Sequence, residues 1–433
     1  MKIGIYIYNN IYNNINLKQL NDGNPGIGGT EYVMFLVAYN LSIRNNDIQV
    51  YLYVEKEIIG TEDINIKICS NIEEAAKDAA AMGCTRFVFD PKWINWFDNS
   101  IFADLPTWLK LIPWNHNISK ATIIRQICMH PNFGRLVCVG EEVLDLYRDD
   151  WTFKYSDYIY NCVPINEIDI YESKKSIYSK RKHIVTYIGS LNPRKTFHVL
   201  AEIWPEILKS VPDAQLYVIG SASLYDNINE YGKFHIAEKT YENMFMKYLT
   251  KNEKILSSVH FIGAMGVEKN KILAMTKVGV PNPVGKTETF CLSAVEMQLM
   301  GCTVTAMQAP GYFNTFFNGY VVKSNKNNLI KSIVKLLLSD ETPQTYDNTI
   351  DFIRKNFSIE NVICQWEKLL KSELSTHINP ILPIKNKFYR FKWLKEFIRT
   401  MKEKEIIPRK STLLVESFLQ KYEKIKESTY RLI

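Results

Sequence analysis

A chain of 433 residues, 46% hydrophobic and 23% charged, is too long for one compact core and suits two domains of ordinary size. These values exclude a disordered or collagen-like protein, and no apolar run approaches the roughly 18–20 residues that cross a bilayer. The formal charge of +7 is local: residues 374–433 hold 14 Lys and Arg against 6 Asp and Glu, and the rest is nearly neutral.

The opening MKIGIYIYNN alternates briefly and then meets Asn-Asn, without a small-residue cleavage site, so it reads as a first strand and not a signal peptide. Further strands are expected at 48–54, 86–90, 110–114, 136–139 and 158–162, with a helix over 30–43 entered from a Gly-rich loop. The polar, unpatterned stretch 173–182 reads as a linker, leaving 1–172 as a first domain. The strand–helix rhythm then restarts: strands at 183–189, 214–220, 259–263, 277–281 and 302–307, with a helix over 197–210. Residues 183–358 form the second domain, 359–372 a closing helix, and 373–433 a basic, amphipathic helical tail. Two runs of βαβ rhythm predict an α/β protein of two facing, Rossmann-like, doubly wound domains, with ligands at the carboxyl ends of the strands, between the domains. The eight cysteines never form Cys-x-x-Cys, and several sit in apolar runs, so reduced thiols and a cytoplasmic location are expected.

The segment 280–303, VPNPVGKTETFCLSAVEMQLMGCT, is the richest in chemistry. A strand ends in Pro281-Asn282-Pro283, Glu288 precedes a helix starting near 291–293, and Glu296 falls inside that helix. Unpaired amides and the positive dipole end at a helix start suit a phosphate or diphosphate. Carboxylates before and within the first turns suit the hydroxyls of a sugar or ribose, because an ionised carboxylate only accepts.

Glu288, Phe290, Leu292, Glu296 and Gly301 match in type and spacing the signature of glycosyltransferase family 4, the group-1 glycosyl transferases, which this segment resembles. Cys291 stands where that family has glycine. YIGSLNPRKTFHVLAEIWPEILKSVPDAQLYVIGS (187–221) is similar to the family's diphosphate clamp, with Lys195 at the lysine position and Ser190 at the arginine position; neighbouring Arg194 is a candidate for the missing charge. GNPGIGGTEYVMFLVAYNLS (23–42) resembles the family's glycine loop, where Gly28 and Gly29 would let backbone approach a ligand and Thr30 would cap the helix. PWNHN (113–117) resembles its His-containing loop and makes His116 a candidate near the reacting sugar carbon.

The resemblance covers about residues 1–370. It implies the GT-B arrangement and a hexosyl-type transferase that moves a sugar from a nucleotide-diphosphate donor to an acceptor hydroxyl with retention, in polysaccharide or glycolipid synthesis. In that picture Glu288, His116 and Lys195 are catalytic. Glu296 binds the ribose, and Phe290, Cys291, Leu292, Arg194, Gly28 and Gly29 complete the donor site. No Asp-x-Asp and no His/Cys cluster occurs, so neither a metal nor any other cofactor is expected. A nucleotide-sugar epimerase or hydrolase on the same fold, and a catalytically degraded partner subunit, are the alternatives.

Within the tail, residues 385–404 carry eight basic and two acidic residues interleaved with aromatics. On a helix Phe388, Phe391, Leu394, Ile398 and Met401 share one side, and Lys385, Lys392 and Arg399 form a stripe beside it. That pattern suits the anionic inner face of a plasma membrane, with the stripe on lipid headgroups and a glycan or lipid-linked acceptor nearby. Nucleic acid is not an expected partner.

Overall fold

The β-branched and aromatic runs of the first domain are buried almost throughout, as strands covered on both faces must be. In a computed structural model they form one parallel sheet of β1 (Lys2–Ile7), β2 (Gln49–Val54), β3 (Asn65–Ile68), β4 (Arg86–Phe89), β5 (Lys110–Asn115), β6 (Leu136–Cys138) and β7 (Ser156–Tyr158), in the order β3-β2-β1-β4-β5-β6-β7. The structure describes all residues except 13, 45–46, 61, 97, 99, 179–180, 223–229, 286–287, 340–342, 375–382, 385–389, 410–414, 416–417, 420 and 423–433.

The second domain holds β8 (Ile184–Ile188), β9 (Gln215–Ile219), a small antiparallel pair β10 (Thr250–Lys251) and β11 (Lys254–Ile255), then β12 (Val259–Gly263), β13 (Val278–Gly279), β14 (Thr303–Met307) and β15 (Gly319–Val322). Its sheet is parallel, ordered β12-β9-β8-β13-β14-β15, so the strand order reverses beside β8. A crevice forms at the carboxyl ends where order reverses, and that is where this sheet presents its loops to the first domain. Two facing parallel sheets with helices on their faces make this the GT-B fold.

Three expectations shift. The strand expected at 158–162 pairs at Ser156–Tyr158 instead, set by register with β6 (Leu136↔Ser156). The stretch read as a linker is helical through its first half, in the helix Glu167–Tyr178, because Ser173 and Ile170 bury against the second domain's side of the core. The first helix spans Gly29–Arg44, one residue earlier than expected, so Thr30 lies inside its first turn.

The closing helix Ile359–Lys371 turns Val362, Ile363, Trp366, Leu369 and Leu370 inward, and Ser358 caps it by accepting from the Asn361 amide at 3.3 Å. It leaves the second domain and packs on the first, with the Trp366 and Trp114 rings 4.6 Å apart. One apolar core therefore runs unbroken from β1 and the first helix through Val295 and Met297 to Tyr346, Phe357 and Trp366.

The tail corrects its expectation most sharply. The helix Lys392–Glu403 forms, but it is turned the other way: Lys392, Lys395, Arg399 and Lys402 are buried, while Phe391, Trp393 and Phe397 are about half exposed. The buried cations meet an acidic patch of the first domain. Lys392 Nζ lies 3.0 Å from Glu142 and 2.7 Å from Asp145, and Lys395 donates to the carbonyls of Asp145 and Leu146. Arg148, paired with Asp145 at 2.6 Å, also reaches Glu396 on the tail helix at 3.0 Å. The basic stripe is thus consumed by protein carboxylates and does not face lipid. Lys385 and Phe388 lie outside the described residues.

Candidate functional site

Between the domains lies a cleft of about 940 Å³, open to solvent and lined from both sides. Asn24, Gly26, Ile27 and Gly29 close it from the first domain. The floor is built by backbone at the ends of β8 and β9. There Gly220 holds φ +149°, and a Cβ on it would sit 1.9 Å from the Gly189 carbonyl oxygen. Only glycine lets those two strand ends approach so closely, and both residues line the cleft.

The loop after β8 explains the first departure from the resemblance. Asn192 accepts from the amides of Arg194 (3.1 Å) and Lys195 (3.2 Å), and its Nδ2 donates to Ser190 Oγ at 3.0 Å. Ser190, in the arginine position, is therefore part of the loop's internal wiring. The turn ends at Thr196, a non-glycine residue at φ +52°, held there because its hydroxyl bonds Asn282 and accepts from the Val284 amide. This geometry sends Lys195 into the cleft and leaves Arg194 exposed and outside the lining.

Lys195 Nζ is bonded to Glu288, which also accepts from Asn282 Nδ2 at 3.1 Å. Glu288 is 6% exposed, so this carboxylate is held by an ammonium and an amide at the mouth of the Leu292–Leu299 helix. Glu296 follows one turn inside that helix, and both carboxylates line the cleft with Phe290 and Leu292. The helix's first amides have no intrahelical acceptor, and the Lys195 ammonium stands beside them, which together suit a diphosphate.

Cys291 is not in the lining. Its side chain packs among Ala294, Ala306, Ala309 and Tyr312, and burial pushes the thiol up to about 12. The Cβ that glycine would lack points into the second domain, so it does not crowd the cleft. Gly28 is also withdrawn: its amide donates to the Tyr12 hydroxyl at 2.9 Å, and Gly29 lines the cleft in its place.

His116 lies behind the wall. Its ring is 4.5 Å from the Trp114 ring, its carbonyl accepts from Thr289 Oγ1 at 2.6 Å, and burial lowers its pKa to about 3. Its backbone carbonyl ties the first domain to the residue after Glu288, and the cleft lining does not include it. Among the lining residues to which the sequence reading gave no role are Asn282, whose position between two prolines at a strand end was the available signal, and Lys269, which had none. Among the described residues no group of three His, Cys, Asp or Glu converges as a metal site.

Residues 169–355 match the family of glycosyl transferases group 1. That stretch contains Lys195, Glu288 and Glu296. The match therefore falls on the second domain, with most of the helix that leads into it. The whole fold agrees with solved glycosyltransferases. One from Rickettsia africae is similar with a TM-score of 0.62 at 12% identity, over 87% of this chain and 99% of that one. Anabaena HepE, solved with UDP and glucose, gives 0.58 at 15% identity, over 86% and 99%. AviGT4, a glycosyltransferase involved in avilamycin A biosynthesis, gives 0.57 at 12%, over 87% and 98%. Comparison with curated proteins finds no match. The matched stretch supplies the loop after β8 and both carboxylates of the cleft, and the first domain supplies the opposing glycine wall.

Proposed function

We propose that the chain transfers a sugar from a nucleotide-diphosphate sugar to an acceptor hydroxyl, with retention at the anomeric carbon. The observation that carries this is the joining of Lys195, Glu288 and Glu296 with a helix N-terminus in one cleft faced by a second domain. Lys195 and the first-turn amides meet the charge that grows on the departing diphosphate, which is the largest contribution to such a step. When the diphosphate takes the ammonium, Glu288 keeps Asn282 as its holder and is released to accept from donor-sugar hydroxyls. Glu296 accepts from the ribose. No metal is needed in this scheme, because leaving-group charge is met by the lysine and the backbone.

The acceptor, a glycan or a lipid-linked sugar, enters from the first domain. For the tail, the proposed membrane surface is now the exposed aromatic side chains Phe391, Trp393 and Phe397, since Trp and Phe settle at bilayer interfaces.

A thermal-shift panel of nucleotide-diphosphate sugars tests the donor assignment. A ligand at 100 times its Kd stabilises by about 2.7 kcal/mol, so a true donor raises the midpoint clearly. A flat response across UDP-, GDP-, ADP- and dTDP-sugars would sink the reading.

A further inference from the structure

The cleft contains a second cation, a buried one, that the scheme above does not use. Lys269, 5% exposed, opens the short helix Lys269–Met275 that follows the loop after β12. Its Nζ lies 3.3 Å from Glu296 Oε1 and 3.3 Å from the Gly266 carbonyl oxygen. The same loop brings Ala264 and Met265 to the cleft wall, next to the strand ends of Ile188 and Ile219. Lys269 and Glu296 also line a second, smaller cavity with Asp22, Asp169 and Asn270, so the pair forms the partition between two hollows.

A carboxylate in a partition has room to turn either way, and a ribose needs it turned one way. An ammonium hydrogen-bonded to the loop's own backbone and ion-paired with one oxygen of Glu296 removes that freedom. It leaves the carboxylate acceptor-only, with one oxygen committed to Lys269 and the other to offer to a hydroxyl. The apolar slot of Ile188, Ile219, Ala264 and Met265 is where a flat base fits beside it.

Resting on the proposed donor site, we infer that Lys269 is a positioning residue: it fixes Glu296 so that the cleft selects nucleotides bearing a ribose diol over their deoxy counterparts. Lys269 touches Glu296, and Glu296 touches the ribose.

The test uses the full chain and the nucleoside diphosphate that binds it best, with its 2′-deoxy and 3′-deoxy forms, by calorimetric titration. Wild type prefers the ribose form. Lys269→Met loses that preference by about 10- to 100-fold, the worth of one charge-assisted hydrogen bond, while Lys269→Arg retains most of it. Lys269→Met placed on top of Glu296→Gln changes nothing further, because its effect passes through the carboxylate. Loss of affinity for the diphosphate with ribose preference intact in Lys269→Met would overturn the inference and make Lys269 a phosphate ligand. A further loss in the double variant would also overturn it. Should Lys269→Met fail to fold, Lys269→Gln is read against the same ratio. If wild type binds no nucleoside diphosphate, the donor assignment itself falls; if it binds one and the ratio survives in the variants, only the role of Lys269 falls.

Discussion

Lys392 and Glu142 are 250 residues apart in sequence and 3.0 Å apart in space, with each side chain 2% exposed. The ammonium also bridges to Asp145 at 2.7 Å. Removing one member of a buried pair leaves the other uncompensated, at a cost of about 3–5 kcal/mol. Lys392→Met is expected to destabilise the chain by that order in chemical denaturation. Burial outweighs the ammonium at Glu142 and pushes its carboxyl up to about 7, so Glu142→Gln costs less than Lys392→Met. Equal, negligible effects of both would mean that the tail is not anchored there.

Replacing Glu288 or Lys195 by Ala is expected to lower turnover by roughly 10²- to 10³-fold, as for loss of one transition-state contact. Because the two side chains are bonded to each other, the double variant is expected to lose much less than the product of the singles. Initial rates of donor consumption with saturating acceptor report this. Undiminished turnover in both folded single variants would remove them from the chemistry.

His116 supplies a pH dependence of defined sign. Its pKa falls from 6.5 to about 3 on folding, through burial. The unfolded chain therefore binds the proton first, and stability is lost as pH falls below 6.5, at up to about 1.4 kcal/mol per pH unit. Between pH 6.5 and 5, His116→Gln is expected to show about 2 kcal/mol less loss than wild type. Parallel stability curves for the two proteins would contradict this.

Sugar transfer is expected to continue in excess EDTA. Complete loss restored by Mg²⁺ or Mn²⁺ would show that an ion carries the charge assigned here to Lys195 and the helix amides.

At the tail, liposome co-sedimentation is expected to depend on Trp393 and Phe397 and to change little with salt, since the basic stripe is already paired inside the protein. Trp393→Ala with Phe397→Ala should abolish it. Binding that collapses at high salt, and survives the double substitution, would return the role to exposed lysines.

Most of the fold was legible because buried parallel strands must be continuous apolar runs, and 183–189 or 302–307 can be little else. β3 (NIKI) escaped because it is an edge strand only partly buried, and β15 because it too sits at an edge. Lys195, Glu288 and Glu296 were legible from a pattern of types and spacing. Lys269 was not, since a lysine opening an amphipathic helix ordinarily points to water and only the fold brings it to Glu296. The tail shows the limit of periodicity. It identified a two-faced helix correctly, but which face turns inward was decided by Glu142 and Asp145, residues far away in the chain.

The crossing of the closing helix bears on how such a protein can be recombined. Residues 359–371 follow the second domain in sequence, yet their Trp366, Leu369 and Leu370 complete the core of the first. A graft that exchanges donor domains by a single join near residue 182 would carry this helix away with the wrong half and leave Trp114 without its neighbour. The exchangeable unit has two seams, one before β8 and one near Ser358, and the last 75 residues travel with the first 172.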